Sequence, residues 1–404
     1  MNRRTFCLTA VLLAAPAFAD APAARYTQRT KTEVREGPGN YYPLVSVLSK
    51  GSRVEVLKAG PAWIKIGRGG SGQSASGWIA KNCLAEKAEA KSALALDLES
   101  SGGRVGAASV AAAVRGFAKR YGRATESSMS ALKAVKEPFF TPNEYQAFKS
   151  ASPRGSWLSP PARYQELDSS YETSLEEDGI GLGMSARVAA EGLVNDRAKL
   201  RYLNMLATLL SEGTSSYDHP FHVYITKGKQ ANAVAVPGGY LFFTQPLLAA
   251  CHDEAELAAV LAHEMTHVLL RHGLKEMKAR STELHAARAM DELDEEAGGG
   301  PDPEAEELEN WASEAYEVVH KPRLQGLEEE ADIGAVLLLA RAGYEPKAVA
   351  DMISRVSKAV LRDAGNPFSG MDYQKRVDAA RVAASLFTAR DARNPERFQQ
   401  VMAQ

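Results

Sequence analysis

His263-Glu264-Met265-Thr266-His267 is where residue types and spacing in this chain read as chemistry. Two histidines four residues apart fall on one face of a helix, so both imidazoles can reach a single metal ion. Glu264 is rotated about 100° from His263, which lets it reach a water held by that metal without being a ligand itself. Zinc in such a place lowers the pKa of the water to about 7, and Glu264 would take the proton as general base. The motif lies in the apolar centre of a helix whose buried stripe is Leu257, Val260, Leu261, Val268 and Leu269. Two histidines and a glutamate buried there without partners would cost several kcal/mol, so other segments must supply compensating groups.

Zinc also needs a third protein ligand. The metzincin spacing would put a glycine at position 270 and a histidine at position 273; the chain has Leu270 and Gly273 there, which excludes that class. His272 falls about 140° round the helix from His267 and is expected to face solvent. The next candidates are in Glu328-Glu329-Glu330-Ala331-Asp332, which opens an apolar helix running through Leu339. Glu328 and Asp332 are again four apart, so one can ligate while the other supports from behind.

The elements that must position these groups follow from pattern. Asp253 and Glu256 form a capping-box pattern at the start of a helix spanning Asp253 to Arg271, and Gly273 suits its C-terminal cap. Leu193, Leu200, Leu203, Leu206 and Leu210 recur at helical spacing, so residues 166–215 read as helical. Three strands follow, His222–Thr226, Ala233–Val236 and Tyr240–Phe243, the last two joined by the turn Pro237-Gly238-Gly239.

Four ordered motifs carry a close resemblance: Asn232-Ala233-Val234-Ala235-Val236-Pro237-Gly238-Gly239-Tyr240, then Glu256 to Glu264, then Glu328 to Asp332, then Ala342-Gly343-Tyr344-Glu345-Pro346. Together they resemble the gluzincin metallopeptidases, the family of the CAAX prenyl endopeptidase, the mitochondrial Oma-type peptidase and periplasmic outer-membrane quality-control peptidases. The resemblance covers roughly residues 166–390. It implies one zinc per chain on His263, His267 and Glu328, with Glu264 as catalytic base and Asp332 as supporting acid. It also implies that Asn232, Ala233, Val234 and Ala235 lie on an edge strand beside the cleft, where an extended peptide can add as a further strand. The substrates so implied are proteins or peptides, among them misfolded or envelope proteins. The chain departs from the family where a His-Pro pair followed by an arginine is usual: Asn366-Pro367 stands there, and Arg376 comes later than expected. Asn366, His320 and Tyr316 are the candidate transition-state donors. A chaperone or adaptor binding unfolded envelope proteins through the edge strand is the alternative reading.

Upstream, Val34 to Pro38, Lys50 to Val56, Ala62 to Ile66 and Gly77 to Ile79 alternate and are punctuated by glycine and proline. Their order and spacing resemble a bacterial SH3-like domain over residues 25–86, which implies a small barrel with a cell-wall or envelope ligand; Trp63 and Trp78 are expected to pack within it. Residues 87–165 read as a helical connector, with Val110, Val114, Phe117 and Tyr121 at helical spacing. The expected fold class is therefore α+β: a mainly helical metallopeptidase domain with a small sheet, preceded by an all-β barrel. Residues 1–19 have the basic start, ten-residue apolar run and Ala17-Phe18-Ala19 site of a secretory signal. Arg3-Arg4-Thr5-Phe6 also fits a twin-arginine route, and the expected location is periplasmic or secreted. The mature chain shows no run of the twenty or so apolar residues that a membrane span needs.

The whole chain, 404 residues with 48 Lys and Arg against 50 Asp and Glu, has ordinary globular composition and lacks the basic excess of a nucleic-acid binder. That balance hides opposites. Residues 20–86 carry ten basic against five acidic side chains, and residues 281–332 three against seventeen. Most of the acid lies in an insertion, 281–325, between the two metal motifs.

Overall fold

The computed structural model describes residues 24–67, 76–87, 132, 139–190, 192–280, 324–360, 371–388 and 392–403. The leader, the acidic insertion, the helical stripe from Val110 to Tyr121, and Tyr316, His320 and Asn366 lie outside these residues. Among the described residues no helix is long and apolar enough to cross a membrane. The described residues divide into two compact units, one holding 24–34, 45–67 and 76–87, the other 35–44 and the described residues from 132 onward.

The first unit is a seven-stranded sheet built from β1 (Ala24–Thr27), β2 (Lys31–Arg35), β3 (Leu44–Ser49), β4 (Arg53–Ala59), β5 (Trp63–Gly67), β6 (Gly77–Ala80) and β7 (Leu84–Ala85). The order across it is β3-β2-β6-β5-β4-β1-β7. β4, β5 and β6 form an antiparallel meander, with a register shift between Val56 and Lys58. Alternation sends Val54, Ile64, Ile66 and Ile79 inward, while Trp63 and Trp78 stay half-buried.

The second unit is mainly helical. The stretch read as one helical region over 166–215 is broken into a 3-10 turn (Ala162–Asp168), α2 (Leu175–Ala190) and α3 (Arg197–Ser211), preceded by α1 (Pro142–Ser150). Leu193 falls between α2 and α3 and bridges to Thr226. β8 (His222–Thr226), β9 (Ala233–Val236) and β10 (Tyr240–Thr244) form a small sheet in the order β8-β10-β9. β10 is parallel to β8 and antiparallel to β9, so β9 lies at an edge. The β9–β10 turn needs two left-handed residues, and glycines 238 and 239 supply them at φ 83° and 86°.

Behind the sheet, α4 (Gln245–Ala250) leads to α5 (Glu254–Leu269), which is buried from Glu254 through Val268. A helix covered on all sides needs no polar face, which is why apolar residues surround the histidine motif. α7 (Gln325–Ala342), equally covered beyond Ala331, packs along α5, with α8 (Ala348–Val360), α9 (Tyr373–Ala384) and α10 (Pro395–Met402) completing the core.

The ends of α5 differ from the expected pattern. Asp253 caps it by accepting from Glu256 N at 2.9 Å, but Glu256 accepts from His252 N rather than closing the box. Gly273 is not the C-terminal cap. The helix stops at Leu270, and Arg271, at φ 53° and ψ 40°, turns the chain into α6 (His272–Ala279).

Three arginines pin the start of α5. Arg393 pairs with Asp253 at 3.0 Å and Arg355 forks onto Glu256. Arg397 engages Glu254, whose carboxylate also accepts from Tyr202 at 2.7 Å and Tyr344 at 2.6 Å. Cys83 and Cys251 are both buried, and neither forms a disulfide among the described residues.

Candidate metal centre

α5 and α7 bring His263, His267 and Glu328 together. One donor atom from each lies within 4.8 Å of the others, and all three residues are buried. The two Nε2 atoms are 3.1 Å apart, and each is 3.3 Å from an oxygen of Glu328. Glu264, also on α5, is buried with Oε2 lacking a partner among the described residues. Two imidazoles and a carboxylate converging on one point, beside an acid with an open acceptor, fit a metal with a free position for water or substrate.

Both imidazoles are held from behind. His263 Nδ1 lies 3.0 Å from Asp332 Oδ1, one α7 turn after Glu328. Arg376 of α9 clamps that carboxylate, Nε to Oδ2 at 2.8 Å and Nη2 to Oδ1 at 2.9 Å, and its Nη1 lies 3.1 Å from Glu328. His267 Nδ1 meets His272 Nδ1 at 2.9 Å. His272 is thus not solvent-facing but fully buried; the turn at Arg271 breaks the helical phase on which that expectation rested.

The charges follow from this packing. In the metal-free chain burial alone would depress His263, but Asp332 and Glu328 against the ring raise it from 6.5 to about 10. Burial opposes ionisation of Glu328 and Asp332, yet the Arg376 guanidinium holds both below the usual carboxylate range. Burial, with His267 adding to it, pushes His272 down to about 2.

A cavity of about 90 Å³ opens onto these groups. Asn232 and Ala233 line it on the β9 side, and Leu247, Val260, Met352, Ile353 and Val356 form an apolar wall. Along β9, Val234 turns into the core while Ala235 is half-buried. Arg376, which stands later in the sequence than the family's spacing puts its arginine, thus reaches the site, and the α8 wall reads in the sequence as ordinary helix core. The one available signal for Arg376 was the need of two buried carboxylates for a cation.

Residues 200–388 match the family model described as peptidase family M48. The chain carries an M48 peptidase domain. Residues 30–85 match the bacterial SH3 domain model, so the α+β class and the order of the two parts follow together. The M48 family implies a metal, and the donor set on α5 and α7 suits one.

Among known proteins, the chain is 28% identical over 183 residues to the beta-barrel assembly-enhancing protease of Yersinia pestis, covering 42% of this chain and 35% of that one. It is 28% identical over 166 residues to the protein of the same name from Escherichia coli K12, covering 41% and 34%. The mitochondrial metalloendopeptidase OMA1 of Schizosaccharomyces pombe is 23% identical over 200 residues, covering 49% and 55%. The match thus spans about a third of the length of the first two relatives.

Proposed function

We propose that this chain is an exported zinc-dependent endopeptidase that cuts extended segments of misfolded or envelope proteins. The observation that carries this reading is the convergence of His263, His267 and Glu328 beside the unpartnered Oε2 of Glu264. Export is argued from the leader pattern of residues 1–19, and the envelope substrate class from the names of the bacterial relatives. The SH3-like part is assigned a cell-wall or envelope ligand.

One zinc held by His263, His267 and Glu328 would supply Lewis acidity to the scissile carbonyl and to water. Glu264 Oε2 takes the proton of the attacking water and returns it to the leaving amine. Asp332, itself locked by Arg376, keeps the His263 ring oriented through Nδ1. β9 offers its open edge to the substrate backbone, so affinity comes from main-chain hydrogen bonds and tolerates varied side chains. That geometry selects chains already unfolded. Leu247, Val260, Met352, Ile353 and Val356 give the cavity that holds Glu264 an apolar lining.

Glu264→Gln tests the assignment. The variant should fold and hold stoichiometric zinc, while cleavage of an unfolded protein such as casein falls by a factor of about 100 or more. A wild-type chain that holds zinc and cleaves no unfolded protein refutes the peptidase reading and leaves the edge-strand binder in its place.

A further inference from the structure

We propose that His272 is a positioning residue of the metal site, the middle of a buried relay that runs from Glu330 through His272 to His267. The inference rests on His267 being a ligand, as the peptidase reading holds. His272 Nδ1 lies 2.9 Å from His267 Nδ1, and its Nε2 lies 3.1 Å from Glu330 Oε2. The two rings meet edge-on at 81°, with centroids 4.9 Å apart.

The hydrogen count of this chain has one solution once a metal takes the His267 Nε2 lone pair. His267 then carries its proton on Nδ1 and donates to His272 Nδ1. His272 must carry its own proton on Nε2 and donates to the Glu330 carboxylate. The ring is fully buried, while Glu330 keeps 28% of its side chain exposed, so the relay ends at the protein surface. The two ligands are thus held differently. His263 is backed by a carboxylate, and His267 by a neutral ring that orients it without adding a negative charge next to the metal.

The backbone spends strain to build this contact. On an unbroken helix His272 would sit about 140° from His267. Arg271 interrupts the helix in the left-handed region, where a non-glycine residue costs about 1–2 kcal/mol. Its side chain offsets that cost: Nη2 donates to the Glu172 carbonyl, Nε lies 3.4 Å from Glu177 Oε2, and the guanidinium stacks 4.8 Å over Tyr171.

The test compares zinc affinity, by chelator competition, and the visible spectrum of the cobalt-substituted protein in wild type, His272→Leu, His272→Gln and Glu330→Gln. Glutamine at position 272 can accept through its oxygen and donate through its nitrogen, so it should restore most of what leucine loses. The leucine variant should bind zinc about 10–100-fold more weakly and show a shifted cobalt spectrum; Glu330→Gln should move both in the same direction by less. A folded leucine variant with wild-type affinity and spectrum overturns the proposal. If leucine prevents folding, Glu330→Gln decides: an unchanged affinity and spectrum overturns the relay, and a weakened affinity with a shifted spectrum supports it. Wild type that binds neither metal overturns relay and peptidase reading together, whereas tight zinc without proteolysis overturns the peptidase reading alone.

Discussion

The distance between the histidine pair and Glu328 is set where α5 and α7 cross, and one glycine sets the crossing. A Cβ on Gly334 would lie 2.4 Å from Thr266 Cγ2, 2.5 Å from its Oγ1 and 3.0 Å from its Cβ. Carbon atoms pack at about 3.5–4.0 Å. Gly334→Ala must therefore push the helices apart by about 1 Å or rotate Thr266 off its 2.7 Å bond to the Ala262 carbonyl. Overpacking of this kind costs about 1–3 kcal/mol, and alanine returns about 1 kcal/mol of helix propensity over glycine. The severe approach places the overpacking cost at the upper end, for a net loss of about 2 kcal/mol. Parting the helices also moves Glu328 away from the imidazoles and should weaken zinc about tenfold, comparable to losing a supporting contact. Thr266→Ala removes the two closest atoms, so the double variant should regain most of both losses. Urea unfolding of the four metal-free proteins gives the coupling energy, expected at about 2 kcal/mol, and zinc titration gives the affinities. A single alanine variant as stable as wild type with unchanged zinc affinity, or a cycle without coupling, refutes the reasoning.

Three further outcomes follow from the charges. Arg376→Met takes the guanidinium away from the buried Asp332 and Glu328, leaving them the charged His263 ring, and should cost the metal-free protein about 3 kcal/mol in urea unfolding, the lower end for a broken buried pair. Arg376→Lys should recover only part, because an ammonium cannot span both carboxylates as the guanidinium fork does; a loss under about 1 kcal/mol for methionine contradicts the assignment. The His263 ring is raised from 6.5 to about 10 in the metal-free chain. Its contribution to stability is therefore complete below pH 6.5 and is lost as pH rises through about 10, so metal-free Tm should fall over that range from this group. Zinc needs the neutral ring, so binding at pH 8 should release about one proton from it; calorimetry in buffers of different ionisation enthalpy checks this, and zero release counts against it.

Local periodicity made the two metal motifs legible. His263 and His267, like Glu328 and Asp332, share a helix face because four residues span about one turn. The strands of the small sheet were legible for the same kind of reason, as was the glycine turn between β9 and β10. What stayed hidden depends on partners far along the chain. His272 was misplaced because a helix phase was extended through Arg271, whose anchors Glu177 and Glu172 lie 94 and 99 residues earlier. Gly273 looked like a stop because glycine is the usual left-handed residue, yet the stop is an arginine held by its side chain. Arg376 carried no local signal, since its partner Asp332 is 44 residues away.

The same holds at the start of α5, and it bears on how the site is kept in shape. Asp253, Glu254 and Glu256 read as a helix start, where acids favour the dipole and cap free amides. Asp253 does cap, but Glu254 and Glu256 are buried, and each meets an arginine 143 or 99 residues further on. A buried carboxylate that loses its cation is costly in a way that an exposed one is not. The helix carrying His263, Glu264 and His267 is therefore fixed at its start by Arg355, Arg393 and Arg397, at its crossing by Gly334, and at its end by Arg271. All of these anchors except Arg271 come from the chain beyond the acidic insertion. The metal geometry forms only when that distal part has folded onto α5, so histidine spacing and helix propensity alone do not build the site.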